Sequence, residues 1–255
     1  MIRSNNNPRL KELRKLKRSR DRARTGRFLA EGEDLIAAAI AAGRPAVEGF
    51  RLAGTAIGGS DFEDVDAPVL ASVSTLGSGT RAIGVYEQRW AEARGPLCVY
   101  LHGVSDPGNV GTVVRSALAF GASSVALGPG CADPHSPKAV RASMGAVFAV
   151  PLARVGDVVE LPGTRVALVA HAGASLDHVV RVLADGTDPE APGGAGSSAV
   201  TLLVGAEREG LPGEVVEECE HTAHIPIASE SLNAAMAVTV ALYETTRPST
   251  RVRAS

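Results

Sequence analysis

The sequence predicts an α/β protein of two domains, and three observations carry that expectation. After Gly95-Pro96 the chain repeats a strand–loop–helix pattern. The strands there are short all-apolar runs, as a parallel sheet covered on both faces requires. Before that point lies a smaller mixed region led by a basic segment.

The elements follow in order. Leu10, Leu13 and Leu16 fall on one stripe among Lys and Arg, which predicts a helix over 7–24 ended by Thr25-Gly26. Leu35, Ile36, Ala39 and Ile40 predict a second helix over 28–42, stopped by Gly43. Strands are expected at 47–52, 68–71 and 82–86, and the polar stretch 90–96 reads as a boundary. Beyond it come a strand at 97–101 and a helix at 110–120, with Asn109 as N-cap and Gly121 past its end. Next are a strand at 124–127 and a helix opened by Ser136-Pro137. Strands at 165–170, 201–204 and 223–227 and a closing helix at 232–246 complete the pattern. Residues 186–198 (GTDPEAPGGAGSS) read as a mobile surface insertion. The chain thus parses as a basic arm (1–27), a small α/β domain (28–95) and an open parallel α/β domain (96–255).

Composition narrows the function. With 255 residues and 45% hydrophobic content, the chain has enough apolar material for a sizeable core. No apolar run reaches the roughly 18 residues of a membrane span, and no apolar stretch follows the N-terminal charges as a secretory signal would. Cys98, Cys131 and Cys219 are odd in number and form no CxxC pair, which suits a reducing cytoplasm and argues against a structural zinc site. The net charge of −2 hides an asymmetry: residues 1–27 hold eleven Lys/Arg against Glu12 and Asp21, and the rest is acidic. A basic segment of this kind points to a polyanion, with nucleic acid first.

Common cofactor signatures are missing: no GxGxxG after a strand, no Walker loop, no HExxH and no GxSxG. The six histidines show no ligand spacing, His221 and His224 included, so no metal is expected. Three loops stand out instead. Asp106-Pro107-Gly108-Asn109-Val110-Gly111 leads into a helix carrying Arg115. Gly205-Ala206-Glu207-Arg208-Glu209-Gly210-Leu211 follows a strand directly, where glycine lets backbone approach a ligand closely. Ser229-Glu230-Ser231-Leu232-Asn233 opens the last helix with two cap-type residues. Taken singly, each also reads as a capped helix or an ordinary β–α turn.

In this order and spacing the three loops resemble the signature motifs of the SpoU (TrmH-like) family of SPOUT methyltransferases. They are DPGNVGTVVRSALAFGA at 106–122, LLVGAEREGL at 202–211 and IPIASESLNAAMAVTVALYE at 225–244. PKAVRASMGA at 137–146 is similar to the stretch between them, and FLAEGEDLIAAAIAAG at 28–43 to the substrate-binding extension of one branch.

The resemblance implies a SPOUT-type parallel sheet flanked by helices, with a deep trefoil knot, and a small N-terminal α/β RNA-binding domain. It implies S-adenosylmethionine held by Gly205, Ile225, Ile227 and Leu232, and a homodimer whose site borrows Arg115 from the opposite subunit. The implied reaction is methyl transfer to an RNA ribose 2′-hydroxyl, with Arg115, Asn109, Glu207, Ser231 and Asn233 around the reacting group and no metal. The basic segment, with Arg9, Lys11, Arg14, Lys17 and Arg18, would hold RNA, ribosomal RNA being favoured over transfer RNA. The alternatives are a tRNA ribose methyltransferase, a catalytically silent RNA-binding protein on the same scaffold and a nicotinamide-dependent oxidoreductase, which the missing glycine fingerprint opposes.

Overall fold

The chain, seen here in a computed structural model that describes residues 1–76, 79–185 and 199–247, divides into two units. The first takes Met1–Trp90, Ser105–Arg115 and Ala132–Pro151; the second takes Ala91–Val104, Ser116–Cys131 and Leu152–Ser255. The insertion expected at 186–198 lies outside the described residues.

In the first unit, helix α1 (Pro8–Lys15) opens at Asn7, whose side chain accepts the Arg9 N–H at 2.9 Å. Helix α2 (Ser19–Thr25) closes at Gly26, left-handed with φ 65°. The single helix expected over 7–24 is therefore two. The Arg22 guanidinium donates to the carbonyls of Leu16 (3.0 Å) and Lys17 (2.9 Å), groups that the end of α1 leaves without helical partners. Strand β1 (Arg27–Glu31) replaces the first turn of the helix expected at 28–42, because Phe28, Leu29 and Ala30 are buried in succession rather than on one stripe. The helix itself is α3 (Glu33–Ala41).

Strands β2 (Glu48–Leu52) and β3 (Phe62–Val65) are followed by helix α4 (Ala67–Val73), where a strand was expected at 68–71. Pro68 sits in the first turn of α4, where its missing N–H costs nothing, and Val69, Leu70 and Val73 face the core. Strand β4 (Ala82–Glu87) completes a sheet of order β1-β4-β2-β3, with β4 antiparallel to both neighbours. Leu10, Leu13 and Leu16 join Phe50, Val65, Leu70 and Ile83 in one core, so the basic segment is packed into this unit and does not hang free.

Further along come β5 (Leu97–Leu101), α5 (Pro107–Ala119), β6 (Ser124–Leu127), α6 (Pro137–Ala142) and β7 (Leu152–Arg154). Strand β8 (Thr164–Leu168), the short β9 (Ala174–Ser175), helix α7 (Leu176–Ala184) and β10 (Val200–Val204) follow. Helix α8 (Gly213–Glu217), β11 (His221–His224) and α9 (Ala234–Thr246) end the described chain.

The seven strands of the second unit are ordered β7-β6-β5-β10-β8-β11-β9, and every pair is parallel. Every residue of the central strands β5 and β10 is buried, which matches a sequence apolar at every position but Thr201. All carboxyl ends share one edge of the sheet, where ligands of open α/β sheets bind.

Two element starts differ from expectation. Helix α5 begins at Pro107 and its cap is Asp106, whose Oδ1 accepts the Asn109 N–H at 3.0 Å, so Asn109 lies inside the first turn. The strand expected at 223–227 runs from His221 to His224, because Pro226 has no N–H for a ladder.

Candidate functional site

The chain leaves β8, β10 and β11 at the same edge, and the three segments that follow line one cleft of about 630 Å3. Gly205, Glu207, Ile225, Ile227, Ser231 and Leu232, singled out in the sequence, all border it. The volume lies in the range of small-molecule sites. Its floor is apolar, with Leu168, Val169, Ile225, Ile227 and Leu232, and its rim carries the exposed Glu207, Arg208, Glu209, Glu230 and Ser231.

Gly205 shapes the entrance. A Cβ at this position would collide with the backbone of Gly210 and Leu211, so the loop 205–211 folds back on itself only with glycine there. The Gly210 N–H donates to the Ala206 carbonyl at 2.9 Å and closes the turn. Bare backbone beside an apolar floor fits an adenosyl group, whose flat base needs apolar contact and whose ring edge needs backbone partners.

Asn233 plays a structural part. Its side chain caps α9, accepting the N–H groups of Ala235 (3.0 Å) and Met236 (3.3 Å), and it does not border the cleft. Asn109 and Arg115 belong to the first unit. Arg115 is exposed and, among the described residues, makes no hydrogen bond or ion pair. Below it, Gly111 lets α5 approach α6, since a Cβ there would strike the Ala139 carbonyl. Asp106 both caps α5 and accepts from Lys138 Nζ at 2.6 Å. The Lys138 hydrogen bond, helped by the Asn109 N–H, holds its carboxyl below the usual range.

The basic segment divides by partner. Arg9 pairs with Glu48 and Glu63 and lies over the Phe50 ring, 4.9 Å from its centre. Arg14 donates to Ser72 at 2.9 Å, and Lys17 to the Ser74 carbonyl at 2.9 Å. Lys11 and Arg18 are exposed and make no such bond among the described residues.

Sequence reasoning missed the end of β8 and the residues after it, where Leu168, Val169 and Ala170 line the cleft. Its position at the carboxyl end of a parallel strand was the available signal. Among the described residues no group of three His, Cys, Asp or Glu could hold a metal ion, and no helix is long and apolar enough to cross a membrane.

Comparison with known proteins bears on this geometry. Residues 96–243 match the SpoU rRNA Methylase family, and residues 7–50 match the MRM3-like substrate binding domain. An uncharacterized tRNA/rRNA methyltransferase from Synechocystis is 30% identical over 96% of this chain and 93% of its own length. The 23S rRNA (guanosine(2553)-2′-O)-methyltransferase of Bacillus subtilis is 28% identical over 95% of this chain and 97% of its own. The crystal structure of an AdoMet-bound rRNA methyltransferase from Sinorhizobium meliloti superposes with a TM-score of 0.79 at 31% identity, covering 96% of each chain.

Proposed function

Because this chain belongs to the SpoU rRNA methylase family, we propose that it transfers the methyl group of S-adenosylmethionine to a ribose 2′-hydroxyl of ribosomal RNA. The observation that carries this reading is the convergence of the segments after β8, β10 and β11 on one cleft with a glycine-only turn at its mouth. The Bacillus relative, by its name, performs this reaction on 23S rRNA. The Sinorhizobium structure binds AdoMet.

S-adenosylmethionine, when bound, supplies an electrophilic methyl group on a sulfonium. Gly205, Ile225, Ile227 and Leu232 hold it through backbone and apolar contact. A ribose hydroxyl is a weak nucleophile and must be positioned and stabilised as negative charge develops on its oxygen. Arg115 fills that role. A guanidinium stays protonated, so it stabilises the negative charge developing on the oxygen, and the hydroxyl proton passes to water. Glu207 and Ser231, on the rim, position the ribose, Asn233 caps the helix that follows the last loop, and Asn109 lies in the first turn of the helix that carries Arg115.

The active form is a homodimer in which Arg115 of one subunit serves the cleft of the other. Its exposure without an intramolecular partner among the described residues supports this, as does an apolar face on the second unit formed by Leu118, Met236, Val240 and Tyr243, with Tyr243 54% exposed. In this reading the three segments of the cleft form the trefoil knot, residues 28–95 with the basic segment 1–27 bind RNA, 96–255 form the catalytic domain, and the protein works in the cytoplasm.

The test is incubation with labelled S-adenosylmethionine and unmodified ribosomal RNA. Label incorporated as an alkali-resistant ribose methylation is expected. Incorporation into transfer RNA alone overturns the choice of substrate, and RNA binding without any incorporation leaves only a silent binder.

A further inference from the structure

A second cavity, of about 170 Å3, lies within the first unit where the loop after α3 meets the end of β4. Arg44, Tyr86, Glu87 and Arg89 line it together with 45–47. Arg44 is fastened in place: Nη2 donates to the Glu87 carbonyl at 2.9 Å and Nη1 to the Phe148 carbonyl at 3.5 Å. A guanidinium has five N–H groups, so donors remain. Arg89 is exposed and makes no hydrogen bond or ion pair among the described residues.

Tyr86 is 2% exposed, its ring packed on Phe28 and edge-on to Phe148 at 4.8 Å. Its ring lies back over Gly84, where an added Cβ would meet the ring edge and the hydroxyl. Burial and the nearby Arg89 charge hold Arg44 below its usual value, with Glu87 opposing in part. Two like charges thus line one cavity, an arrangement that an anion relieves.

We propose that this cavity takes a backbone phosphate of the RNA substrate, with Arg44 and Arg89 as its cationic walls. The Glu87 carboxylate at the rim disfavours a doubly charged free phosphate more than a singly charged phosphodiester. The assignment rests on the reading that the chain acts on RNA. It adds a contact beyond the basic segment, on a surface that neither the charge count nor the signature motifs marked.

The test uses the full chain and an unmodified ribosomal RNA transcript, with affinity measured across a salt series. Arg89→Ala should weaken binding about 5- to 10-fold and reduce the slope of log affinity against log salt by about one. Arg44 is the poorer probe, because it also fastens two carbonyls. Wild-type affinity and slope in both Arg89→Ala and Arg89→Glu would overturn the site. Saturable binding of inorganic phosphate that Arg89→Ala abolishes while RNA affinity stays unchanged assigns the cavity to a free anion and overturns the RNA contact. Failure of the wild-type chain to bind RNA defeats the functional reading itself and is distinguishable from either result.

Discussion

The basic segment at the start of the chain and the cleft at the edge of the parallel sheet use charge in opposite ways. Residues 1–27 carry eleven Lys/Arg, yet Arg9, Arg14, Lys17 and Arg22 are engaged within their own unit. The cleft has fewer charges, and they stand exposed on its rim. Charge number describes the field a surface projects, whereas hydrogen-bond partners decide which side chains are available to a ligand.

The sharpest test of that contrast is Arg22→Ala. Arg22 is 3% exposed, pairs with Asp133 at 2.7 Å and caps two carbonyls, so its removal strands several buried polar groups. Loss of about 3–5 kcal/mol in denaturant unfolding is expected, and near-native stability would break the contrast. On the opposite side, Arg115→Ala should lower methyl transfer by about 10²–10³-fold while S-adenosylmethionine still binds. Loss of cofactor binding in that variant would contradict its place at the reacting oxygen.

A smaller effect separates residues within the basic segment. Replacing Lys11 and Arg18 together by Ala should reduce the salt slope of RNA binding by about two, whereas Arg14→Ala should leave the slope alone and cost stability. Equal slopes for both variants would remove the distinction by partner. The smallest effect concerns pH. Burial pushes the Glu220 carboxyl up, but Arg165, donating from its backbone N–H and its guanidinium, brings it below its ordinary value. A carboxyl lowered on folding contributes stability that is present above its unfolded value of about 4.5 and is lost as pH falls through the folded value. Glu220→Gln should therefore flatten the acid limb of the stability profile, and an unchanged limb would show that the pair contributes nothing.

The central strands of the second unit were legible because β5 and β10 are buried throughout and read as mostly apolar runs, whereas the short β7 and β9 at the sheet's edges carry too few residues to show a pattern. The cleft was legible because Gly205, Ile225, Ile227 and Leu232 lie in loops with distinctive residue order. The first unit was harder. In the run Phe28-Leu29-Ala30 the apolar residues suit either period, and only the sheet decides for a strand. At 68–71 the short apolar run suits a strand, and only the packing of Val69, Leu70 and Val73 on one face makes Pro68 a helix start. The break between α1 and α2 depends on Arg22 reaching back to carbonyls five and six residues earlier, which no periodicity reveals. Asp106 displaced Asn109 as the cap of α5 because both are good capping residues, and only the backbone chooses between them.

The first unit is stitched from three stretches of chain separated by parts of the second. Phe28 and Tyr86 bury their rings against Phe148, and Arg22 finds its counter-charge on Asp133, so the N-terminal 90 residues leave the ribosome without the aromatic and ionic partners that complete them. The core around Leu10, Phe50, Leu70 and Ile83 lies wholly within the first 90 residues, but the contacts of Phe28, Tyr86 and Arg22 with Phe148 and Asp133 can close only after those later residues have been synthesised. A recombinant fragment cut at the apparent linker near 95 would carry the same deficit permanently, with Phe28 and Tyr86 turned toward solvent and a propensity to aggregate.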